Sequence, residues 1–173
     1  MIAGRNPVIE ALKSGREINK IWINERARGG QMNELIQLAK QKRTLIQFVP
    51  KQKLDRLTDG ANHQGVAASV AAYQYATVDE LFLRAQSRKE PPFFLLLDEL
   101  EDPHNFGSIL RTADAAGVHG VIIPKRRSVS LTAAVAKAST GAIEYVSVAR
   151  VNNLAQTVDH LKKRGLWLVA AEA

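Results

Sequence analysis

The segment Leu97-Asp98-Glu99-Leu100-Glu101-Asp102-Pro103-His104-Asn105-Phe106-Gly107-Ser108-Ile109-Leu110-Arg111-Thr112-Ala113 holds the densest set of side chains able to do chemistry. It reads as the carboxyl end of a strand, a polar loop, and a helix over 108–116. Gly107 would let the backbone approach a ligand closely, and the helix start offers free N–H groups to an anion. With Arg111 on the first turn and Asn105 in the preceding loop, the pair could hold a phosphate and an adjoining hydroxyl. The same residues also suit an ordinary junction, in which Asn105 caps the helix and Arg111 is a solvated charge. Such junctions outnumber active sites.

Other candidates carry less. Lys125-Arg126-Arg127 follows a strand end and is well placed for phosphate, although most such triplets are solvated loops. Ser139-Thr140-Gly141 forms a turn that could approach RNA or a cofactor, or could simply end a helix. Ala170 and Ala171 close the last expected strand, where small side chains would admit a ligand or pack in a core. Glu144 reads as a solvated strand-edge residue. His63, beside Gln64 and Gly65, could touch a polyanion, although a single histidine is more often structural. His63, His104, His119 and His160 show no metal-binding spacing, and the absence of cysteine excludes disulfides and thiolate-ligated zinc.

Positioning these residues falls to two expected units. Residues 1–75 read as a small α/β unit: a helix introduced by Asn6-Pro7 and ended by Gly15, strands over 18–23, 45–49 and 66–72, and helices over 31–43 and 51–57. Residues 76–92 read as a linker containing a helix over 78–85, started by the capping box Thr77/Glu80 and closed by a polar, proline-ended run. From residue 93 to 173, strands over 93–97, 118–123, 145–148 and 166–170 alternate with helices over 108–116, 131–138 and 154–164. That alternation predicts a parallel sheet covered on both faces. It also leaves the last strand without the loop and helix that would follow it, as in an interrupted α/β domain.

Charge is divided unevenly. The 173 residues carry a net +7. Residues 1–75 hold 12 Lys/Arg against 6 Asp/Glu, or 12 − 6 = +6, and residues 76–173 hold 12 against 11, or 12 − 11 = +1. A polyanionic partner for the first unit is the physical reading. No apolar run reaches membrane-spanning length, and the start lacks the pattern of a secretory signal, so the expectation is a cytoplasmic protein with no membrane partner.

The run Asn105-Phe106-Gly107-Ser108-Ile109-Leu110-Arg111-Thr112-Ala113 resembles the first signature motif of the SpoU (TrmH) family of RNA 2′-O-ribose methyltransferases, whose marked positions are the asparagine and the arginine six residues on. Val121-Ile122-Ile123-Pro124, Lys137-Ala138-Ser139-Thr140-Gly141-Ala142 and Tyr145-Val146-Ser147-Val148 fit the downstream pattern. Upstream, Gly4-Arg5-Asn6-Pro7-Val8-Ile9-Glu10-Ala11-Leu12 and His63-Gln64-Gly65-Val66-Ala67-Ala68 resemble the family's substrate-binding domain. The resemblance spans essentially the whole chain. It is nearest to the enzymes that methylate a guanosine ribose in bacterial 23S ribosomal RNA.

The resemblance implies a fold, a reaction and roles. The fold is a small N-terminal α/β RNA-binding domain followed by an α/β-knot (SPOUT) parallel-sheet domain, here incomplete. The reaction is S-adenosylmethionine-dependent 2′-O-methylation of ribosomal RNA, with homodimerisation through the knot and no metal. Arg111 would steady the developing 2′-alkoxide and the neighbouring phosphate, because a guanidinium stays protonated and is a poor general base. Asn105 would hydrogen-bond Arg111 or the ribose. Ala170, Ala171 and Gly141 would line the cofactor pocket. Arg5, Lys20, Arg26, Arg28 and His63 would contact RNA, as would Lys125, Arg126 and Arg127. The family's glycine-rich second motif and its asparagine- and serine-containing third motif are absent from these residues. The 173 residues alone are therefore expected to be inactive, and a non-catalytic RNA-binding protein or fragment is the alternative.

Overall fold

A computed structural model describes residues 1–171, in two compact units, Met1–Gln74 and Tyr75–Ala173. The last two positions of the expected 93–173 unit lie outside the described residues.

The first unit runs β1 (Ile2–Ala3), α1 (Arg5–Lys13), β2 (Ile18–Asn24), α2 (Gly30–Gln41), β3 (Ile46–Val49), α3 (Lys51–Leu57) and β4 (Val66–Val70). Its sheet has the order β1-β4-β2-β3. The β2–β3 pair is parallel, with α2 as the crossover, and the other pairs are antiparallel. Helical spacing on α1 buries Val8, Ile9, Ala11 and Leu12, and on α2 Met32, Leu35 and Ala39, in one cluster with Ile21 and Ile23 of β2. The alternate β2 residue Trp22 packs on the other face against Leu54 of α3, Val49 and Ala67. The helix expected to be capped by Asn6 starts one residue earlier. Gly4, at φ +103°, turns the chain out of β1 and donates its N–H to Val66 O at 3.1 Å, so strand pairing fixes the helix start.

The second unit runs α4 (Val78–Arg88), β5 (Phe94–Leu96), α5 (Pro103–Ala115), β6 (Gly120–Pro124), α6 (Ala133–Ala138), a 3-10 turn (Ala142–Glu144), β7 (Val148–Val151) and α7 (Leu154–Lys163). The sheet, β5-β6-β7, is parallel throughout. Ile122 packs with Leu81 of α4, Ala149 of β7 and Leu161 of α7 on one face. Val121 and Ile123 are fully buried on the other, the side on which α5 contacts β6.

Four expectations change. The stretch 76–92 is no linker: α4 buries Leu81 and Ala85 in the second unit, and a Cβ on Gly120 would lie 2.6 Å from Leu81 Cδ1. The helix placed at 108–116 begins at Pro103, because Asp102 caps it by accepting the Asn105 N–H at 2.6 Å. The strand placed at 145–148 is displaced to Val148–Val151, since the turn at Ala142–Glu144 and the residues after it take the preceding positions. The strand expected over 166–170 does not form. Trp167 and Val169, which alternate onto one face of any such strand, are 98% and 95% exposed, so no layer covers that face.

Candidate functional site

Starting α5 at Pro103 changes the geometry of its polar residues. Asn105 is the third residue of the helix and Arg111 the ninth. Six residues of helix rise about 9 Å and turn about 240°. Asn105, Ser108 and Arg111 therefore form one i, i+3, i+6 ridge, with roughly 5–6 Å between successive Cβ atoms. All three are exposed. The Asn105 and Arg111 side chains do not meet, which excludes the expected direct hydrogen bond between them in this conformation. Neither the Arg111 guanidinium nor the Asn105 amide has a hydrogen-bond or ion-pair partner among the described residues.

What holds the ridge is the buried side of the same helix. Phe106, Leu110 and Ala113 are buried. Gly107 lies where α5 crosses the end of α6: an added Cβ would stand 2.5 Å from Ala138 Cβ, 2.7 Å from Ala138 C and 2.8 Å from Ser139 N. The glycine expected to admit a ligand thus admits a neighbouring helix end.

The remaining second-unit candidates do not assemble into a cofactor cradle. Ser139 is fully buried, and its hydroxyl donates to Ala136 O at 2.9 Å and accepts the Ile143 N–H at 3.4 Å, so this turn ends a helix. Gly141, exposed at φ +96°, introduces the 3-10 turn, where Glu144 is also exposed. Ala170 and Ala171 are exposed and belong to no strand. Lys125, Arg126 and Arg127 follow the carboxyl end of β6, where sheets of this kind place ligand loops. A hydrogen bond from the Val129 N–H to Leu100 O, 2.7 Å, ties that loop to the one after β5. No three His, Asp or Glu side chains among the described residues form a metal-holding group. No described helix is long and apolar enough to cross a membrane.

The first unit holds an open cleft of about 760 Å³, within the size range of ligand pockets. It lies at the carboxyl ends of the parallel strands β2 and β3, and its walls include Arg5, Arg26, Lys51, Asn24, Gln52 and Asn62. Arg5 is braced by donation from Nε to Gln64 O at 3.1 Å. Arg26 and Lys51 have no side-chain partner among the described residues. His63, also in the wall, is only 6% exposed and spends both ring nitrogens internally. Nδ1 accepts the Gly65 N–H at 2.9 Å, which leaves Nε2 to carry the proton toward Asp55 Oδ1, 2.9 Å away. Its expected RNA contact gives way to a role in shaping the wall.

Arg28 is folded back onto the carbonyls of Glu25 and Ala27 at 2.7 and 2.9 Å. Lys20 stands outside the cleft, 5.5 Å above the Trp22 ring centroid. Lys51, Gln52 and Asn24 were not singled out by sequence, although their positions at the ends of two parallel strands are the signal that finds them.

Two family models match the chain. Residues 1–76 match that described as RNA 2′-O ribose methyltransferase substrate binding, and residues 92–173 that of the SpoU rRNA Methylase family. YacO of Bacillus subtilis (strain 168), named for the TrmH family of tRNA/rRNA methyltransferases, is 56% identical over 172 residues, covering 99% of this chain and 69% of that protein. A protein so named from Staphylococcus haemolyticus (strain JCSC1435) is 58% identical over 174 residues, covering 100% and 69%. Among solved structures, the SpoU methyltransferase AviRb from Streptomyces viridochromogenes, in complex with AdoMet, matches at a TM-score of 0.45 and 23% identity, covering 94% of this chain and 58% of that one. An AdoMet-bound rRNA methyltransferase from Sinorhizobium meliloti matches at 0.41 and 25%, covering 95% and 57%. The chain thus spans under two thirds of these solved chains and 69% of the curated relatives.

Proposed function

The chain belongs to the SpoU (TrmH) family of methyltransferases, and from that membership we propose that the intact protein methylates a ribose 2′-hydroxyl of ribosomal RNA, a guanosine of bacterial 23S RNA. The methyl donor in this reading is S-adenosylmethionine, the ligand named for two of the solved relatives. Gly141, Ala170 and Ala171 do not form its cradle, so no step is derived through it here. The reading includes a cytoplasmic location, where the RNA is, and a homodimer assembled through the family's knot. It also includes the division of labour expected of the chain, with residues 1–75 gripping RNA and 93–173 contributing to the methyltransferase domain.

The observation that carries this reading is the unpartnered Arg111 guanidinium on the α5 ridge, inside the segment that matches the methylase model. A 2′-hydroxyl under attack develops negative charge on oxygen beside a phosphate that already has one. A fixed cation is worth most where charge appears only in the transition state. Arg111 stays protonated, so it stabilises the alkoxide and holds the phosphate, while the proton leaves to another acceptor. Asn105, two steps along the ridge, is too distant to share the same oxygen and addresses the neighbouring sugar or phosphate. Ser108 between them offers a hydroxyl to the same stretch of backbone.

The test is alkaline hydrolysis of ribosomal RNA incubated with the intact protein and S-adenosylmethionine. A 2′-O-methyl group blocks attack on the adjacent phosphodiester, so the modified position resists cleavage. Resistance at one guanosine, lost with Arg111→Ala, is the expected result. RNA binding without any protected position would instead mark the protein as a non-catalytic RNA binder.

A further inference from the structure

The side of the first unit's sheet that carries α3 is only partly covered, and it holds a cluster outside the cleft. Alternation along β2 places Lys20, Trp22 and Asn24 on this face, while Ile21 and Ile23 lie fully buried on the other. One side of Trp22 packs against the small cluster of Val49, Leu54 and Ala67. Its indole N–H has no partner among the described residues, and it is not among their buried unpaired atoms, so this edge meets solvent.

The surrounding groups are polar or cationic. Lys20 Nζ lies 5.5 Å from the ring centroid. Lys53, projecting from α3, is near enough for its charge, after burial, to lower the Lys20 pKa. Neither lysine forms an ion pair among the described residues. Ser69 stands opposite Lys20 on β4, and Gln47 opposite Trp22 on β3. Two ammonium groups facing each other beside a half-buried indole repel one another until an anion comes between them. The same strand face continues to Asn24, four residues or about 13 Å on, which is already in the cleft wall.

We infer that Lys20, Lys53 and Trp22 form a second contact for single-stranded RNA, with a backbone phosphate between the two lysines and a base or ribose against the indole, continuous with the strand held in the cleft. The inference rests on the RNA-binding role proposed for this unit. It assigns the ligand as an unpaired strand, because a base must be free of its own stack to use an aromatic face. Duplex RNA offers phosphates to the lysines but no free base to Trp22.

The sequence has two tryptophans, so Trp167→Phe leaves Trp22 as the sole emitter. This protein is titrated with a short single-stranded RNA, a duplex of the same length and inorganic phosphate, following Trp22 emission and the anisotropy of labelled RNA together. The single strand is expected to bind and change Trp22 emission, and the duplex to bind with little change. Lys20→Ala/Lys53→Ala should lower the slope of log affinity against log salt by roughly one to two. Trp22→Leu, which keeps an apolar side chain against Leu54, should weaken single-strand binding on the order of tenfold and spare the duplex. Binding by anisotropy with unchanged emission and an unchanged salt slope overturns this inference and leaves the cleft reading standing. An emission change with phosphate alone, and none further with RNA, reduces the cluster to an anion site. No binding of either RNA overturns the RNA-binding reading and this one with it.

Discussion

Replacing Gly107 by alanine separates packing from chemistry in the signature segment. The added Cβ would stand 2.5 Å from Ala138 Cβ, 2.7 Å from Ala138 C and 2.8 Å from Ser139 N. Two of those atoms are backbone, so relief requires α5 and the end of α6 to move apart. Overpacking of this kind costs about 3 kcal/mol at the upper end of its usual range. Alanine regains about 1 kcal/mol of helix propensity over glycine, leaving a net loss of about 2 kcal/mol. For a unit of this length, that is roughly 8–16 °C in melting temperature. Urea and thermal unfolding, followed by near-ultraviolet circular dichroism, read the loss directly. Adding Ala138→Gly removes the 2.5 Å contact but neither backbone contact, so it should restore only part of the stability. A Gly107→Ala protein as stable as the parent, or more so, would refute the argument, because propensity alone would then decide the site.

The other predictions separate ligand contacts from scaffold. Arg111→Ala should abolish methylation while leaving the unfolding midpoint within about 0.5 kcal/mol of the parent, since the side chain is exposed and unpartnered; a large fall in stability would contradict that placement. Arg26→Ala should weaken RNA binding and lower the salt slope by about one without destabilising the fold. His63→Ala should do the reverse, costing about 1–3 kcal/mol because it strands the Gly65 N–H and leaves Asp55 without its partner. Urea titrations of both variants beside salt-dependent anisotropy would show whether the effects divide this way. Burial, with Lys53 second, lowers the Lys20 pKa below 10.5. Between the lowered folded value and 10.5 the unfolded chain holds more protons, so stability rises with pH across that window. Lys20→Met should flatten this alkaline rise in urea midpoints, and an unchanged rise would remove Lys20 as its source.

The elements most readable from sequence are those whose burial pattern is local. The apolar spacing of α2 and the capping box of α4 mark both helices because every residue involved lies within two turns. Boundaries set by distant partners were not legible. Helix α1 begins at Arg5 because Gly4 pairs with Val66, more than sixty residues away. The stretch 76–92 reads as a polar linker, yet Leu81 fits into the space left by Gly120. Neither residue announces the other. The apolar run from Leu166 illustrates the converse: strand-forming side chains make a strand only where an edge and a covering layer receive them, and Trp167 and Val169 have neither among the described residues.

The candidate site shows how one misplaced boundary changes a chemical reading. With the helix starting at 108, Asn105 belongs to a loop that can fold back toward Arg111, and the two converge on one group. Asp102 and Pro103 instead supply an N-cap and a first-turn proline, and the helix engulfs Asn105. Rigid spacing replaces convergence. The side chains now sit at the ends of a ridge of two steps, roughly 10–12 Å between Cβ atoms. A single hydroxyl cannot bridge that distance, whereas an RNA backbone repeats phosphate and ribose along its length. The geometry favours a polymer read at two successive points over a small substrate gripped at one. Ser108 is the residue that tests the difference. Under the two-point reading, Ser108→Ala should weaken RNA capture while sparing turnover at saturating RNA. If both ends instead served one oxygen, the same change would lower turnover itself.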